Sequence, residues 1–167
     1  SILHTDAVQA VGKIPLNLSK SAIDLLTLSG HKLHAPKGVG ALFIRKGITF
    51  TPFVVGGHQE KNRRGGTENV PSIIGLGRAC ELAKKYMSEE QILVKQLRDK
   101  VEDEILEKAP DVRVNGHKTK RLPNTTNLSF EFVEGEAILL LLNERGICAS
   151  SGSACTSGSL EPSHVLR

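Results

Sequence analysis

The chain has 167 residues, 39% hydrophobic and 24% charged, with a net charge of +4, a length and composition that fit one globular domain or pieces of two. No apolar run approaches the ~20 residues that cross a bilayer, and the basic clusters at Lys61, Arg63 and Arg64 and at Lys118, Lys120 and Arg121 carry no interleaved aromatics, which argues against a nucleic-acid platform. The three cysteines, Cys80, Cys148 and Cys155, are widely spaced with no C-x-x-C pattern, which argues against a disulfide framework or a zinc site and points to a reducing, cytoplasmic compartment.

Ser1 to Ala10 reads as a short strand and a turn, with Asp6 just after the apolar start and Gln9 three residues on, so that the two can converge on one ligand. Gly12 to Ser21 is a polar connection in which Pro15 breaks any helix. Ile23–Leu28 is a continuous apolar run, the pattern of a strand buried on both faces. It stops at Ser29-Gly30-His31-Lys32, which sets a hydroxyl, an imidazole and an amine within four residues. Ligands of open α/β sheets bind beyond the carboxyl ends of such strands, and a lysine desolvated there can act as a nucleophile; on the octapeptide alone, a solvated loop lysine is the competing reading. His31 and His34 lack a third partner at metal-ligand spacing. Gly38-Val39-Gly40 lacks the third glycine of a dinucleotide fingerprint, and 41–45 alternates as a strand antiparallel to its neighbour.

The loop His58 to Asn69 holds Arg63, Arg64, Gly65, Gly66 and Thr67, the residue types of a phosphate loop and equally of an exposed turn. Asn69 is placed to cap a helix with Pro71 in its first turn, and Cys80 falls in that helix's apolar stripe. Ser88 with Gln91 makes a capping box. Leu93, Leu97, Val101 and Ile105 then predict one buried stripe, with Lys95–Asp99, Arg98–Glu102 and Glu104–Lys108 on the wet face. A domain boundary is expected near Ser88, with 1–88 and 89–167 on either side. Beyond Pro110, strands at Asp111–Asn115 and Thr125–Phe132, a helix over Glu134 to Arg145 closed by Gly146, and a strand Ile147–Ala149 with Cys148 buried make a small α+β domain. The run from Ser150 to Ser159 is made of small residues except for Cys155. It cannot build a core and is expected to be mobile over 150–160, and a cysteine with nothing to pack against is a candidate reactive thiol. The chain starts without Met in an apolar stretch and is expected to be a segment of a longer protein.

His4-Thr5-Asp6-Ala7-Val8-Gln9, Ser29-Gly30-His31-Lys32, Arg64-Gly65-Gly66-Thr67 and Ser150-Ser151-Gly152-Ser153-Ala154-Cys155-Thr156-Ser157, in this order, resemble the successive signatures of the cysteine desulfurases. These are pyridoxal-phosphate enzymes of the class-V aminotransferase-like group, fold type I. The wording of Thr27 to Gly38 and of Leu122-Pro123-Asn124-Thr125-Thr126-Asn127 is similar to the nitrogen-fixation (NifS) type. The resemblance implies the end of a large α/β cofactor domain followed by part of a small α+β domain. It implies that Lys32 links covalently to the cofactor and moves protons, Asp6 pairs with the ring nitrogen, Gln9 bonds the phenolic oxygen, and Ser29 and His31 hold the phosphate. Thr67 is implied to reach the phosphate of a second subunit, hence a homodimer. The implied reaction takes L-cysteine to L-alanine and leaves a persulfide on Cys155, whose sulfur passes to an iron–sulfur scaffold protein; the sole metal contact implied is that of Cys155, through its persulfide, to a [2Fe-2S] cluster shared with the scaffold. No nucleic-acid or membrane partner is implied. A ring-stacking histidine, a first phosphate loop, an asparagine near the substrate and a carboxylate-binding arginine are expected outside this segment, so the isolated chain is expected to be inactive. The alternatives are a selenocysteine lyase or another fold-type-I transferase, which needs no Cys155, and a non-enzymatic persulfide carrier that uses the Cys155 loop alone.

Overall fold

The computed structural model describes residues 1–150. Strand β1 (His4–Asp6) pairs in parallel with β2 (Leu25–Ser29), and β3 (Gly40–Ile44) pairs antiparallel on the other side of β2. The antiparallel β3 expected from its alternation is therefore formed, with Thr27 opposite Leu42 and Ser29 opposite Gly40. The connection from β1 to β2 is a chain of turns ending in a single 3-10 turn, Leu18–Lys20, capped by the Asn17 side chain, which accepts from the Ser19 N–H at 3.1 Å. Arg45, just past β3, ties that connection to the sheet by donating to the carbonyls of Leu18, Ser21 and Ile23 at 2.6–2.9 Å.

The expectation that β2 is buried on both faces needs correction. Leu26 is buried, while Leu25, Thr27 and Leu28 are only half-buried. Two-sided burial requires a layer on each face, and among the described residues one long helix packs onto this region. The core is correspondingly small and aliphatic: Ala7, Leu26, Leu33, Leu76 and Ala79.

That helix, α1 (Val70–Lys108), is 39 residues long. It begins where the sequence predicts: the Asn69 side chain accepts the Ser72 N–H at 3.3 Å, its carbonyl accepts the Ile73 N–H at 3.0 Å, and Pro71 sits in the first turn. The expected new start at Ser88 does not occur. Ser88 lies between Lys84-Lys85-Tyr86-Met87 and Glu89-Glu90-Gln91, all tolerant of helix and with no Gly or Pro among them, so the continuous ladder outcompetes the local cap. The buried stripe is also displaced by one residue. Leu93, Leu97 and Val101 are 57%, 55% and 52% exposed, while Arg98 and Glu102, assigned to the wet face, are 9% and 8% exposed. Arg98 turns inward, and its Nη1 donates to the Leu122 carbonyl at 2.8 Å. On the exposed side Lys95 pairs with Asp99, and Lys108 with Glu104 at 3.0 Å, as expected. The Lys95 ammonium, and after it the Arg98 guanidinium, hold the Asp99 carboxyl below the usual carboxylate range.

The chain divides into two compact units, one of Ser1–Val101 with His117–Thr125, the other of Glu102–Gly116 with the residues from Thr126 on. In the second, β4 (Val112–Val114) pairs antiparallel with β5 (Leu128–Phe130), followed by α2 (Gly135–Glu144). The end of α2 follows the sequence reading closely. Gly146 takes φ +73°, its N–H reaches the Asn143 carbonyl at 2.9 Å, and the Ile147 N–H reaches Leu142 at 2.9 Å, the paired bonds of a Schellman motif. The strand expected at Ile147–Ala149 is not formed, and Cys148, expected to be buried, is exposed. A three-residue apolar segment becomes a strand only when another strand offers it a ladder, and among the described residues none does. No helix among the described residues is long and apolar enough to cross a membrane.

Candidate functional site

The parallel pairing of β1 with β2 sets Asp6 opposite Thr27, so the carboxyl ends of both strands open on the same edge of the sheet. Chain direction alone brings Asp6 and the Ser29–Lys32 segment to one side, the edge at which α/β sheets bind ligands. Asp6 is held there by its own backbone: its Oδ1 accepts the Val8 N–H at 2.9 Å, and the next residue, Ala7, donates to the Thr27 carbonyl at 2.9 Å. Gln9 follows, exposed, in the turn that leaves β1.

Beyond β2 the chain turns through a 3-10 segment, Gly30–Leu33, ended by His34 in the left-handed region at φ 64°. Gly30 is required by space. Its N–H donates to the Val39 carbonyl at 2.8 Å, and a Cβ built on it would stand 2.9 Å from both that oxygen and Val39 Cγ1. From sequence, Val39 is weighed only as part of Gly38-Val39-Gly40 and this contact is not predicted; a glycine directly after an apolar strand is the available sign of a close backbone approach. Within the turn Leu33 points into the core while His31 and Lys32 are exposed. Ser29 Oγ lies 3.1 Å from His31 Nδ1, so hydroxyl and imidazole act as one polar pair beside the lysine.

Thr67 stands on a different element, exposed in the loop ahead of α1. That loop is folded by its own contacts: the Gly65 N–H donates to the Val54 carbonyl at 2.8 Å, Arg64 Nη1 to the Gly65 carbonyl at 2.7 Å, and the Gly66 N–H to Gln59 Oε1 at 3.3 Å. Glu60, Lys61 and Asn62 are successive left-handed residues just before it. A cleft of about 490 Å³ lies between β3, Phe50–Val54, Arg63, Arg64 and the first turns of α1; neither Asp6, Gln9 nor any residue of Ser29–Lys32 lines it. Cys155 lies outside the described residues.

The sequence model of the aminotransferase class-V family matches residues 1–167, the whole chain. The chain belongs to that family. Among its relatives, a cysteine desulfurase of Trichormus azollae is 64% identical over 167 residues, which are 100% of this chain and 42% of the relative. The cysteine desulfurase NifS of Azotobacter vinelandii is 62% identical over 166 residues, 99% of this chain and 41% of that protein. The chain thus spans about two fifths of the length of the curated relatives it matches. Among solved structures, a NifS-like protein from Rickettsia africae superposes with a TM-score of 0.83 at 39% identity, covering 91% of this chain and 42% of that one. DndA from Streptomyces lividans superposes with a TM-score of 0.78 at 38% identity, covering 99% of this chain and 47% of its own. The class-V aminotransferase segment seen here is therefore a fragment of the fold-type-I architecture.

The donor set suits the cofactor of such enzymes. Pyridoxal phosphate presents an aldehyde, a ring nitrogen and a phosphate. Lys32 supplies an exposed amine, Asp6 a carboxylate already oriented by its backbone contact, and Ser29 with His31 a hydroxyl–imidazole pair.

Proposed function

We propose that the protein to which this chain belongs is a pyridoxal-phosphate-dependent cysteine desulfurase, taking L-cysteine to L-alanine and supplying the sulfur to iron–sulfur cluster assembly, in particular the maturation of nitrogenase. The observation that carries the reading is the convergence of Asp6 and Ser29-Gly30-His31-Lys32 at one sheet edge, in a chain over 60% identical to proteins named cysteine desulfurase.

In this reading Lys32 would hold the cofactor through its ε-nitrogen and would be the base that accepts a proton from the substrate α-carbon. Asp6 would keep a proton on the ring nitrogen, Gln9 would donate to the phenolic oxygen, and Ser29 and His31 would bind the phosphate. Thr67 completes the phosphate site of a second copy, which makes the working unit a homodimer. When bound, the cofactor acts as an electron sink for the bonds broken at the substrate. The thiolate of Cys155 attacks the substrate sulfur: a sulfur–sulfur bond forms, the carbon–sulfur bond breaks, and its electron pair stays with the carbon that becomes the alanine methyl. Through its persulfide Cys155 contacts a [2Fe-2S] cluster shared with the scaffold protein, and passing the outer sulfur to that acceptor breaks the sulfur–sulfur bond and returns the Cys155 thiolate.

The full-length Cys155→Ala variant tests this. It is expected to keep the cofactor absorbance and to stop forming alanine from L-cysteine; undiminished alanine formation would remove Cys155 from the reaction.

A further inference from the structure

We propose that Gly75 of α1 is a positioning residue for Lys32, setting the place of the Gly30–Leu33 turn through its bare contact with Pro36. The inference rests on the reading of Lys32 as the cofactor lysine. A Cβ built on Gly75 would stand 2.8 Å from Pro36 Cδ and 3.0 Å from Cγ. Proline Cδ is bonded to its own backbone nitrogen, so it cannot swing aside, and a Cβ at Gly75 would press on the main chain at residues 35 and 36. The Ala35 N–H donates to the Gly30 carbonyl at 3.0 Å, so a push at Pro36 arrives one hydrogen bond later at the turn that carries His31 and Lys32.

The turn is also held close at both of its ends, although a cavity of about 170 Å³ borders Leu33. At its start Gly30 meets Val39 backbone to backbone, and a Cβ there would lie 2.9 Å from the Val39 oxygen. At its end the buried Leu33 lies against Gly12: a Cβ on Gly12 would lie 2.6 Å from Leu33 Cδ2 and 3.3 Å from Ala83 Cβ of α1. Gly75, Ala79 and Ala83 recur every four residues, on one face of the helix, and all these contacts lie within one compact unit. The backbone gives no reason for glycine at 75, because its φ is not positive. Helix propensity argues against it, because alanine is the better helix former. Space is the remaining reason, and the neighbouring Gly77 supplies the contrast, since a Cβ there would meet nothing within 4 Å.

The test uses the full-length enzyme, prepared free of cofactor and then titrated with pyridoxal phosphate. Gly77→Ala is expected to raise thermal stability and leave the dissociation constant and the absorption band of the lysine-bound cofactor unchanged. Gly75→Ala is expected to bind the cofactor about tenfold more weakly and to shift the band, although its helix propensity rises as much. Trimming the proline ring in Gly75→Ala with Pro36→Ala is expected to restore both readouts. Should Gly75→Ala fail to fold, the double variant decides: wild-type affinity supports the proposal and weakened affinity overturns it. A Gly75→Ala protein indistinguishable from Gly77→Ala also overturns it. Lys32→Ala separates the two layers, because persistence of the lysine-bound band in that variant refutes the reading of Lys32 itself and not the contact.

Discussion

Replacing Arg98 with methionine separates two arrangements of α1. Methionine keeps most of the apolar stem and removes the guanidinium. Its Nη1 bond to the Leu122 carbonyl, 2.8 Å long, comes from a side chain only 7% exposed, and a hydrogen bond from a charged donor contributes about 1.5–3 kcal/mol. The contacts of its Nε and Nη2 with Asp99 at 2.9 and 2.6 Å add little, since Asp99 is a third exposed and keeps Lys95. The expected loss is therefore about 2 kcal/mol, concentrated where Leu122-Pro123-Asn124-Thr125 rests on the helix. Hydrogen exchange of that peptide in the full-length protein is the direct assay, because exchange reports local opening, and about 2 kcal/mol corresponds to roughly thirtyfold faster exchange. On the wet face that the sequence spacing suggested, the same substitution would change stability by less than about 0.5 kcal/mol. Exchange at wild-type rates would refute the inward placement of Arg98.

Gly30→Ala is expected to break the Gly30–Val39 bond and lower stability by about 2–4 kcal/mol, an overpacking penalty added to a carbonyl left without its donor; a denaturation midpoint equal to wild type would contradict the close approach at Val39. Asp99→Asn tests the lowered carboxyl. A group whose folded-state pKa lies below its unfolded value stabilises the fold at pH above the ordinary carboxylate value, about 3.9, and that contribution disappears as pH falls through the folded-state value. The gap in stability between wild type and Asp99→Asn should therefore be present near neutral pH, close on acidification and shrink with added salt; a gap that widens in acid would reverse the sign argued here. The isolated 167-residue chain is expected to show no turnover of L-cysteine, measured as alanine formed, and robust turnover would mean that the segment alone is sufficient.

What the sequence made legible is local chemistry. Asn69 and Pro71 announce the start of α1, and Gly146 announces the end of α2, because caps depend on residues within a few positions of one another. The strand over 41–45, antiparallel to its neighbour, was legible from its alternation. The face that α1 buries was not legible. Helical spacing alone ranks the apolar row at Leu93, Leu97 and Val101 above any row that includes the charged Arg98. A hydrogen bond from Arg98 to a carbonyl 24 residues away reverses the order. Ser88 misled for a related reason, since a capping box is written in the same residues as an ordinary polar helix surface. Cys148 and Ile147 read as a strand by composition, yet strand formation depends on a partner that no local pattern supplies. The candidate site was legible as a string of polar groups after a strand. That Asp6 shares its edge required the parallel pairing of β1 and β2, and the glycines packed around the turn required coordinates.

The central claim is that Lys32, on the turn beyond β2, carries the cofactor. Borohydride reduction of the full-length, pyridoxal-phosphate-loaded protein, followed by tryptic peptide mapping, tests it most directly. The account predicts the phosphopyridoxyl group on Lys32. Its recovery on Lys13, Lys37 or any other lysine, with Lys32 unmodified, would contradict the account.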